Sequence, residues 1–227
     1  MSHLFFSQLQ DATKTAREQM LSASIISACR SGDINIAMYQ SFLTQAYHHV
    51  KHTVPLLMAC GSRLPGHYEW LQDALSEYIE EEKGHHLWIL DDIRACDGDI
   101  DAVKENRGQG RVHPAIELMV SYLYYQIDRL NPLALFGMVW VLEGTSVSIG
   151  GTMAELIQKH LSLPDQAMTY LRSHSTLDQE HIRLFAGLMD QITDSNDQHV
   201  IIDSANMIFS LYGQMLNGLN PTENEVG

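Results

Sequence analysis

Two histidines and an aspartate interrupt an apolar pattern in the segment between residues 167 and 192. Stepping along this segment by three or four residues gives apolar side chains at both ends and His174, Asp178 and His181 in the middle. On an α-helix, positions i, i+4 and i+7 lie within about 60° of one another. The three side chains therefore share a face that is predicted to point toward the core, where imidazole and carboxylate groups can bind a metal ion. A solvated stripe on the helix surface is the alternative.

Glu82 and His85 form a second pair of acid and imidazole, again between apolar positions of one helical seam. The flanking apolar positions are Leu71, Leu75, Tyr78 and Ile89. The local sequence is ambiguous, because Glu80, Glu81 and Glu82 are consecutive and His86 follows His85. Glu81 can therefore stand in for Glu82 as a ligand, or His86 for His85, and a charged surface turn is a further alternative.

Glu143 directly follows the longest apolar run of the chain, the ten residues Leu133–Leu142. A carboxylate on so apolar a helix is expected to be buried, and a buried charge must be paired, neutralised or bound to a metal ion. A protonated or arginine-paired structural glutamate is the alternative. The run itself is too short for a membrane span, which needs about 20 residues, so no membrane segment is predicted.

These side chains together match the ligand pattern of di-iron sites in helical bundles. Such sites use two lone carboxylates and an acid-x-x-His pair from each of two helices. The predicted metal ligands, which are also the predicted catalytic residues, are Glu82, His85, Glu143, His174, Asp178 and His181. His174 would take the place of the second lone carboxylate. This mixture of carboxylates and imidazoles suits two iron ions, whereas a structural zinc site would normally use thiolates.

Helical periodicity dominates the chain, and no run alternates apolar and polar residues as a half-buried strand does. The sequence therefore predicts an all-α bundle of about seven helices in a single domain over residues 1–219, followed by a flexible tail at residues 220–227. The predicted helices are Leu4–Cys29, Asn35–Ala59, Tyr68–Ala95, Ala115–Asp128, Pro132–His160, Pro164–His174 continuing into Ser175–Ile192, and Asn196–Leu216. The polar, glycine-containing segment Cys96–Val112 is predicted to be a loop.

Several local features of these helices have a specific cause. Asp33 is predicted to cap the second helix, and Pro132 to occupy the first position of the fifth. Inside the fifth helix, Gly144, Gly150 and Gly151 lie close together and predict a kink or a close approach of another backbone.

The last helix carries apolar side chains on two faces. These residues are Ile201, Ile202, Met207, Ile208 and Leu211. A surface helix needs only one apolar face, so the second predicts a homodimer, unless the helix is buried inside one chain.

The net charge of the chain and its cysteines indicate which binding partners and which cellular compartment to expect. With 14 Lys+Arg against 28 Asp+Glu, the net charge is −14. Such a surface should repel nucleic-acid phosphates and anionic lipids, so neither is predicted as a partner. The first ten residues lack the basic and apolar pattern of a signal peptide. Cys29, Cys60 and Cys96 form no Cys-x-x-Cys pair and suit a reducing compartment, so a cytoplasmic location is expected.

The combination of motifs resembles the heme-oxygenase-like di-metal oxidases and oxygenases, within the superfamily that also contains TenA-type and PqqC-type proteins. The resemblance rests first on His174, Asp178 and His181, spaced as His-x-x-x-Asp-x-x-His. It rests also on Glu143 in Leu-Glu-Gly-Thr-Ser and on Glu-Glu-x-Gly-His at residues 81–85, and it covers about residues 35–215. It implies helices around a central pocket, two non-heme ferrous ions, O2 as co-substrate and the oxidation of a small organic substrate.

Neighbouring branches of this superfamily supply alternatives. A TenA-type hydrolase would use a cysteine nucleophile in the later helices, yet all three cysteines precede residue 97. A PqqC-type oxidase would need a basic pocket, for which 14 Lys+Arg offer little support. Heme would need an axial histidine early in the chain, with His3 as the candidate. A metal-free helical protein that binds a small molecule or regulates a partner is the alternative from another functional class.

Overall fold

The computed structural model describes residues 4–219, except for the side chains of residues 174–180. Within this range the chain forms helices and no strand, which confirms the predicted all-α class. The α-helices among the described residues are α1 Phe5–Leu21, α2 Ser24–Ser31, α3 Ile36–Val50, α4 Thr53–Gly61, α5 Glu69–Glu82, α6 His85–Ala95, α7 Ile100–Lys104, α8 Pro114–Tyr125, α9 Ala134–Thr145, α10 Gly151–Leu161, α11 Thr169–Met189 and α12 Ser195–Asn217. The predicted tail at 220–227 lies outside the described residues.

The helices outnumber the predicted seven because several predicted helices are broken in two. The predicted helix Tyr68–Ala95 ends as α5 at Glu82 and restarts as α6 at His85. Gly84, between them, has a φ of 93°, a left-handed conformation that glycine adopts without strain and that other residues rarely adopt. Glu82 and His85 therefore lie on two helices separated by a sharp turn, and not on one continuous seam as predicted.

Other boundaries also differ from the prediction because side chains farther along the chain form the caps. The cap of α3 is Asn35, whose Oδ1 accepts a hydrogen bond from the Met38 amide at 3.0 Å. Asp33 instead accepts a hydrogen bond from the Ser31 hydroxyl. The predicted loop at residues 96–112 contains the short helix α7, whose first amides donate to the side chain of Asp99.

The predicted irregularity of the fifth helix takes the form of one π-helical turn. The helix begins at Ala134, two residues later than the predicted start at Pro132. After α9 it passes through the π-helical turn Ser146–Gly150 and continues as α10. A π-turn inserts an extra residue into the helix, and such turns are frequent at functional sites.

α9 lies at the centre of the bundle and packs most extensively against α12. Nine of its 12 residues are buried. Gly137 permits this contact, because a Cβ there would lie only 2.6 Å from the backbone nitrogen of Ala205. The continuous helix Ala134–Leu161 is long and apolar enough to cross a membrane, but 56% of its most apolar window is buried inside the protein, as in the core helix of a folded domain.

The two apolar faces of α12 are explained by its neighbours within the chain. α12 packs against α9, α1 and α8. Ile201 and Ile208 are fully buried in these contacts, whereas Met207 is 44% exposed. The feature that suggested a homodimer therefore has an explanation inside one chain, and the homodimer stays a prediction.

The first turn of α11, the helix that carries the His-x-x-x-Asp-x-x-His motif, is fixed by a carboxylate from α6. Asp92 is fully buried, and it accepts hydrogen bonds from the backbone amides of Thr169 at 3.1 Å and Tyr170 at 2.9 Å. The first amides of a helix have no partner within the helix, and a carboxylate there also interacts favourably with the helix dipole. Asp92 thus joins α6 and α11, which both carry predicted ligands.

Candidate metal centre

His181 stands between two carboxylates that come from other helices. Its Nε2 lies 2.7 Å from Oε2 of Glu81 in α5, and its Nδ1 lies 3.8 Å from Oε1 of Glu143 in α9. The side chains of Glu143 and His181 are 6% and 13% exposed, whereas that of Glu81 is 56% exposed. The structure therefore places the predicted ligands His181 and Glu143 side by side and adds Glu81, the sequence alternative to Glu82.

The other predicted pair, Glu82 and His85, also lies in contact across the break between α5 and α6. Oε2 of Glu82 lies 3.2 Å from Nδ1 of His85, and both side chains are buried. The imidazole of His85 also stacks on the indole of Trp88, with ring centroids 4.1 Å apart. A carboxylate beside Nδ1 favours the tautomer that is protonated on Nδ1, which leaves Nε2 as the nitrogen that can bind a metal ion.

A cavity of about 530 Å³ connects these groups, and we call it the polar cavity. Among the described residues, five carboxylate or imidazole side chains line it. The exposed Glu77 is one of them, and the other four, which are the candidate ligands, each come from a different helix. They are Glu81 of α5, His85 of α6, Glu143 of α9 and His181 of α11. Much of the remaining wall is apolar or aromatic, including Trp88, Phe136, Leu184 and Phe185. Two carboxylates and two imidazoles are donor types that iron accepts.

Three of the six predicted ligands line the polar cavity: His85, Glu143 and His181. Glu82 contacts His85 but lines a neighbouring cavity. His174 and Asp178 belong to α11, and their side chains lie outside the described part of the structure. Among the described residues, no three His, Cys, Asp or Glu side chains form a group that is already spaced to hold a metal ion. The fit of iron therefore rests on the types of donor and not on a preformed coordination geometry.

Two aromatic residues of the site received no role from the sequence. Tyr78 lies edge-on to the imidazole of His181, with ring centroids 5.4 Å apart, and Trp88 stacks on His85. Sequence periodicity places Tyr78 in the apolar seam of its helix. The spacing of Trp88, three residues after His85 on one helix, is a signal that indicates such a contact, because residues three apart are neighbours on a helix surface.

A second cavity adjoins the polar cavity, and we call it the apolar chamber. Tyr78, Val139 and Glu143 line both spaces. Most of the other chamber walls come from α2, α3, α9, α10, α11 and α12 and from the π-helical turn. Cys29 is part of this wall, and burial raises the pKa of its thiol to about 11. A thiol that stays protonated at neutral pH is a poor nucleophile, which disfavours the cysteine-dependent hydrolase alternative.

Solved structures share this arrangement of helices. A domain of unknown function with a heme-oxygenase-like fold from Shewanella denitrificans is 24% identical, with a TM-score of 0.82 over 94% of this chain and 90% of that one. A TenA homologue from Pseudomonas syringae is 12% identical, with a TM-score of 0.75 over 94% and 91% of the two chains. Heme oxygenase-1 from Synechocystis, in complex with heme, is 15% identical, with a TM-score of 0.75 over 96% and 93%. At these identities the likeness shows the fold.

The sequence itself identifies the family. No curated protein matches the sequence. Residues 40–213, which contain all six predicted ligands, match the model of a family described as iron-containing redox enzymes. The fold confirms the predicted heme-oxygenase-like architecture of the superfamily that includes TenA. The chain therefore belongs to the family of iron-containing redox enzymes.

Proposed function

We propose that this protein is a non-heme di-iron oxidoreductase that activates O2 and acts on a small organic substrate. The observation that carries the proposal is the convergence of Glu81, His85, Glu143 and His181, from four helices, on one cavity. Carboxylates and imidazoles from separate helices are the donors of di-iron sites in helical bundles. The family match to iron-containing redox enzymes supports iron as the metal.

In this proposal the iron ligands are the four candidate residues of the polar cavity and two further residues of the sequence motif. Glu81, His85, Glu143 and His181 would bind iron, together with His174 and Asp178 of the motif. Glu82, predicted from the sequence as a ligand, would orient His85 through the contact between its carboxylate and Nδ1. Such carboxylate–imidazole contacts fix the ring and make it a better ligand.

The chain's own residues set the conditions for chemistry at this site. Bound ferrous iron would supply the electrons that O2 chemistry requires. Phe136, Phe185 and Trp88 give the polar cavity an apolar wall beside the candidate ligands, and surroundings of low polarity strengthen the attraction between carboxylates and a cation. Glu143 is positioned to influence both metal and substrate, because it lines the polar cavity and the apolar chamber.

The decisive experiment is metal analysis after anaerobic loading with ferrous iron. We expect about two iron ions per chain and a Mössbauer spectrum typical of non-heme iron with nitrogen and oxygen ligands. Exposure to air should then oxidise the iron and consume O2. A chain that stays iron-free after loading would contradict the proposal.

Heme is a cofactor to test directly, because a heme oxygenase with bound heme shares the fold. The sequence has no histidine between His3 and His48, so α1 supplies no axial histidine. We expect that titration with hemin gives no stoichiometric shift of the Soret band. A tight one-to-one heme complex would favour heme chemistry instead.

A metal-free binding or regulatory protein is the second candidate function. It is favoured by the observation that no group of three potential ligands in the described residues is already spaced for a metal ion. Bound metal stabilises a fold by mass action, so His181→Ala should lower the unfolding midpoint more in iron than in chelator if iron binds. Equal effects in both solutions would favour the metal-free candidate.

A further inference from the structure

The apolar chamber differs from the polar cavity in its lining. None of the described residues that line it is lysine or arginine. Its carboxylates, Glu82 and Glu143, come from α5 and α9, which also line the polar cavity. The described wall of the chamber therefore has no lysine or arginine whose positive charge could bind an anion.

The far part of the chamber is built from residues that do not reach the polar cavity. α2 and α10 pack against each other there, and neither helix lines the polar cavity. Their lining side chains, Ile25, Ile26, Cys29, Met153 and Ile157, are all buried. The π-helical turn between α9 and α10 adds Ser146, Ile149 and Gly150 to the wall. This end is apolar, and its α2 and α10 side chains do not line the polar cavity.

The volume of the chamber limits the molecule that it can hold. It measures about 130 Å³. A cavity of about 150 Å³ that is lined by aliphatic and aromatic side chains is large enough to bind benzene. An anionic group in such a space would lose its hydration without gaining a lysine or arginine of the described wall as a partner, so its burial there is unfavourable.

We propose that the apolar chamber receives the uncharged body of the substrate, an aromatic ring or an aliphatic chain of about six carbons. The polar, reacting end of the substrate lies at the boundary formed by Tyr78, Val139 and Glu143, beside the candidate ligands. This proposal rests on the proposed function, because it names the class of substrate for the same site.

The first test uses simple probes on the full chain, with and without iron. Benzene and n-hexanol should bind, and in iron-free protein 6-hydroxyhexanoate, whose far end carries a negative charge that no lysine or arginine of the described chamber wall can pair with, should bind at least about tenfold more weakly. Chemical-shift changes of the methyl groups of Ile25, Ile26, Met153 and Ile157 would report the location. Equal affinity for the charged and uncharged probes, or shift changes elsewhere only, would overturn the proposal.

The second test fills or enlarges the chamber. Ile149→Trp should weaken n-hexanol binding about tenfold, because the half-buried residue lines the chamber. The matched control is Ile202→Trp, which replaces a half-buried isoleucine of α12 that lines neither cavity. Unchanged binding in Ile149→Trp would contradict the proposal. If that variant does not fold, Ile157→Ala is the alternative. It enlarges the chamber and should shift the binding preference from n-hexanol toward n-octanol, and an unchanged preference would also contradict the proposal.

The two proposals fail separately. Iron binding at about two ions per chain without binding of any apolar probe overturns the substrate class alone. Binding of the apolar probes at the chamber in protein that takes up no iron overturns the di-iron function and leaves the chamber as a site for apolar molecules.

Discussion

The polar cavity and the apolar chamber lie side by side and are built in opposite ways. The polar cavity gathers one candidate ligand from each of α5, α6, α9 and α11, and two of these side chains, His85 and Glu143, are buried. The apolar chamber uses mainly aliphatic and aromatic side chains, and Glu143 belongs to both spaces. Buried charges require partners in defined positions, whereas apolar walls require only volume and shape. Substitutions in the two spaces should therefore have different consequences.

Glu143→Gln should have the largest effect, because this residue belongs to both spaces. The amide keeps the shape of the side chain but removes the negative charge that binds a cation. We expect iron affinity to fall by about 100-fold or more, measured by competition with a ferrous chelator. The exposed Glu80→Gln is the matched control and should bind iron as the wild type does. Unchanged iron affinity in Glu143→Gln would show that Glu143 is not an iron ligand.

Neighbouring glutamates of α5 should separate a direct ligand from a residue that orients one. Glu81 contacts His181 and lines the polar cavity, whereas Glu82 contacts His85 and lines the apolar chamber. We expect Glu81→Gln to lower iron affinity about 100-fold and Glu82→Gln about tenfold. A larger loss of iron affinity in Glu82→Gln than in Glu81→Gln, measured by the same chelator competition, would indicate that Glu82 is the ligand, as predicted from the sequence.

Asp92, which joins α6 to α11, should make the stability of the fold depend on pH. Burial raises the pKa of this carboxyl from its ordinary 3.8 to about 6, against the lowering effect of its hydrogen bonds from Tyr170 and Thr169. A raised pKa in the folded state contributes stability that is fully present below about pH 4 and is lost as the pH rises through about 6.

Wild type should therefore gain about 2 kcal/mol of unfolding free energy relative to Asp92→Asn when the pH falls from 7 to 4.5. Chemical denaturation of both proteins at the two pH values measures this difference. The neighbouring Asp91→Asn is the control, since the Asp91 side chain is 65% exposed. If the difference in unfolding free energy between wild type and Asp92→Asn does not vary with pH, the carboxyl of Asp92 does not have a raised pKa.

The smallest effect is expected for a conservative change in the chamber wall. Ile157→Val removes one buried methylene group and should cost about 1 kcal/mol of unfolding free energy. Iron stoichiometry should not change, because α10 does not line the polar cavity. The half-buried Ile202→Val should cost less in the same denaturation experiment. Loss of iron from Ile157→Val would show that the two spaces are not separable.

Sequence periodicity determined the fold class and placed His181, Glu143 and His85 toward the interior. This was possible because the spacing of apolar residues along a helix is local and repeats every 3.6 residues. The cluster of Gly144, Gly150 and Gly151 predicted a kink or a close backbone approach in the fifth helix, and the irregularity there is a π-helical turn.

The choice between Glu81 and Glu82 shows where local reasoning ends. Adjacent residues on a helix point about 100° apart, so the correct residue depends on how the helix ends and on what it faces. α5 stops at Glu82, and Gly84 turns the chain before His85. Across this turn Glu82 contacts His85, whereas Glu81 contacts His181, a residue 100 positions later in the chain.

Other features were decided only by contacts between distant parts of the chain. Asp92 meets the first amides of α11, and the two apolar faces of α12 pack against α9, α1 and α8 of the same chain. The division into a polar cavity and an apolar chamber likewise depends on which helices pack together. The sequence shows which face of each helix is apolar, but it does not show which helix packs against that face. Burial of an apolar face is favourable against any other apolar face of suitable shape, so the pairing of helices is decided by the packing of the whole chain.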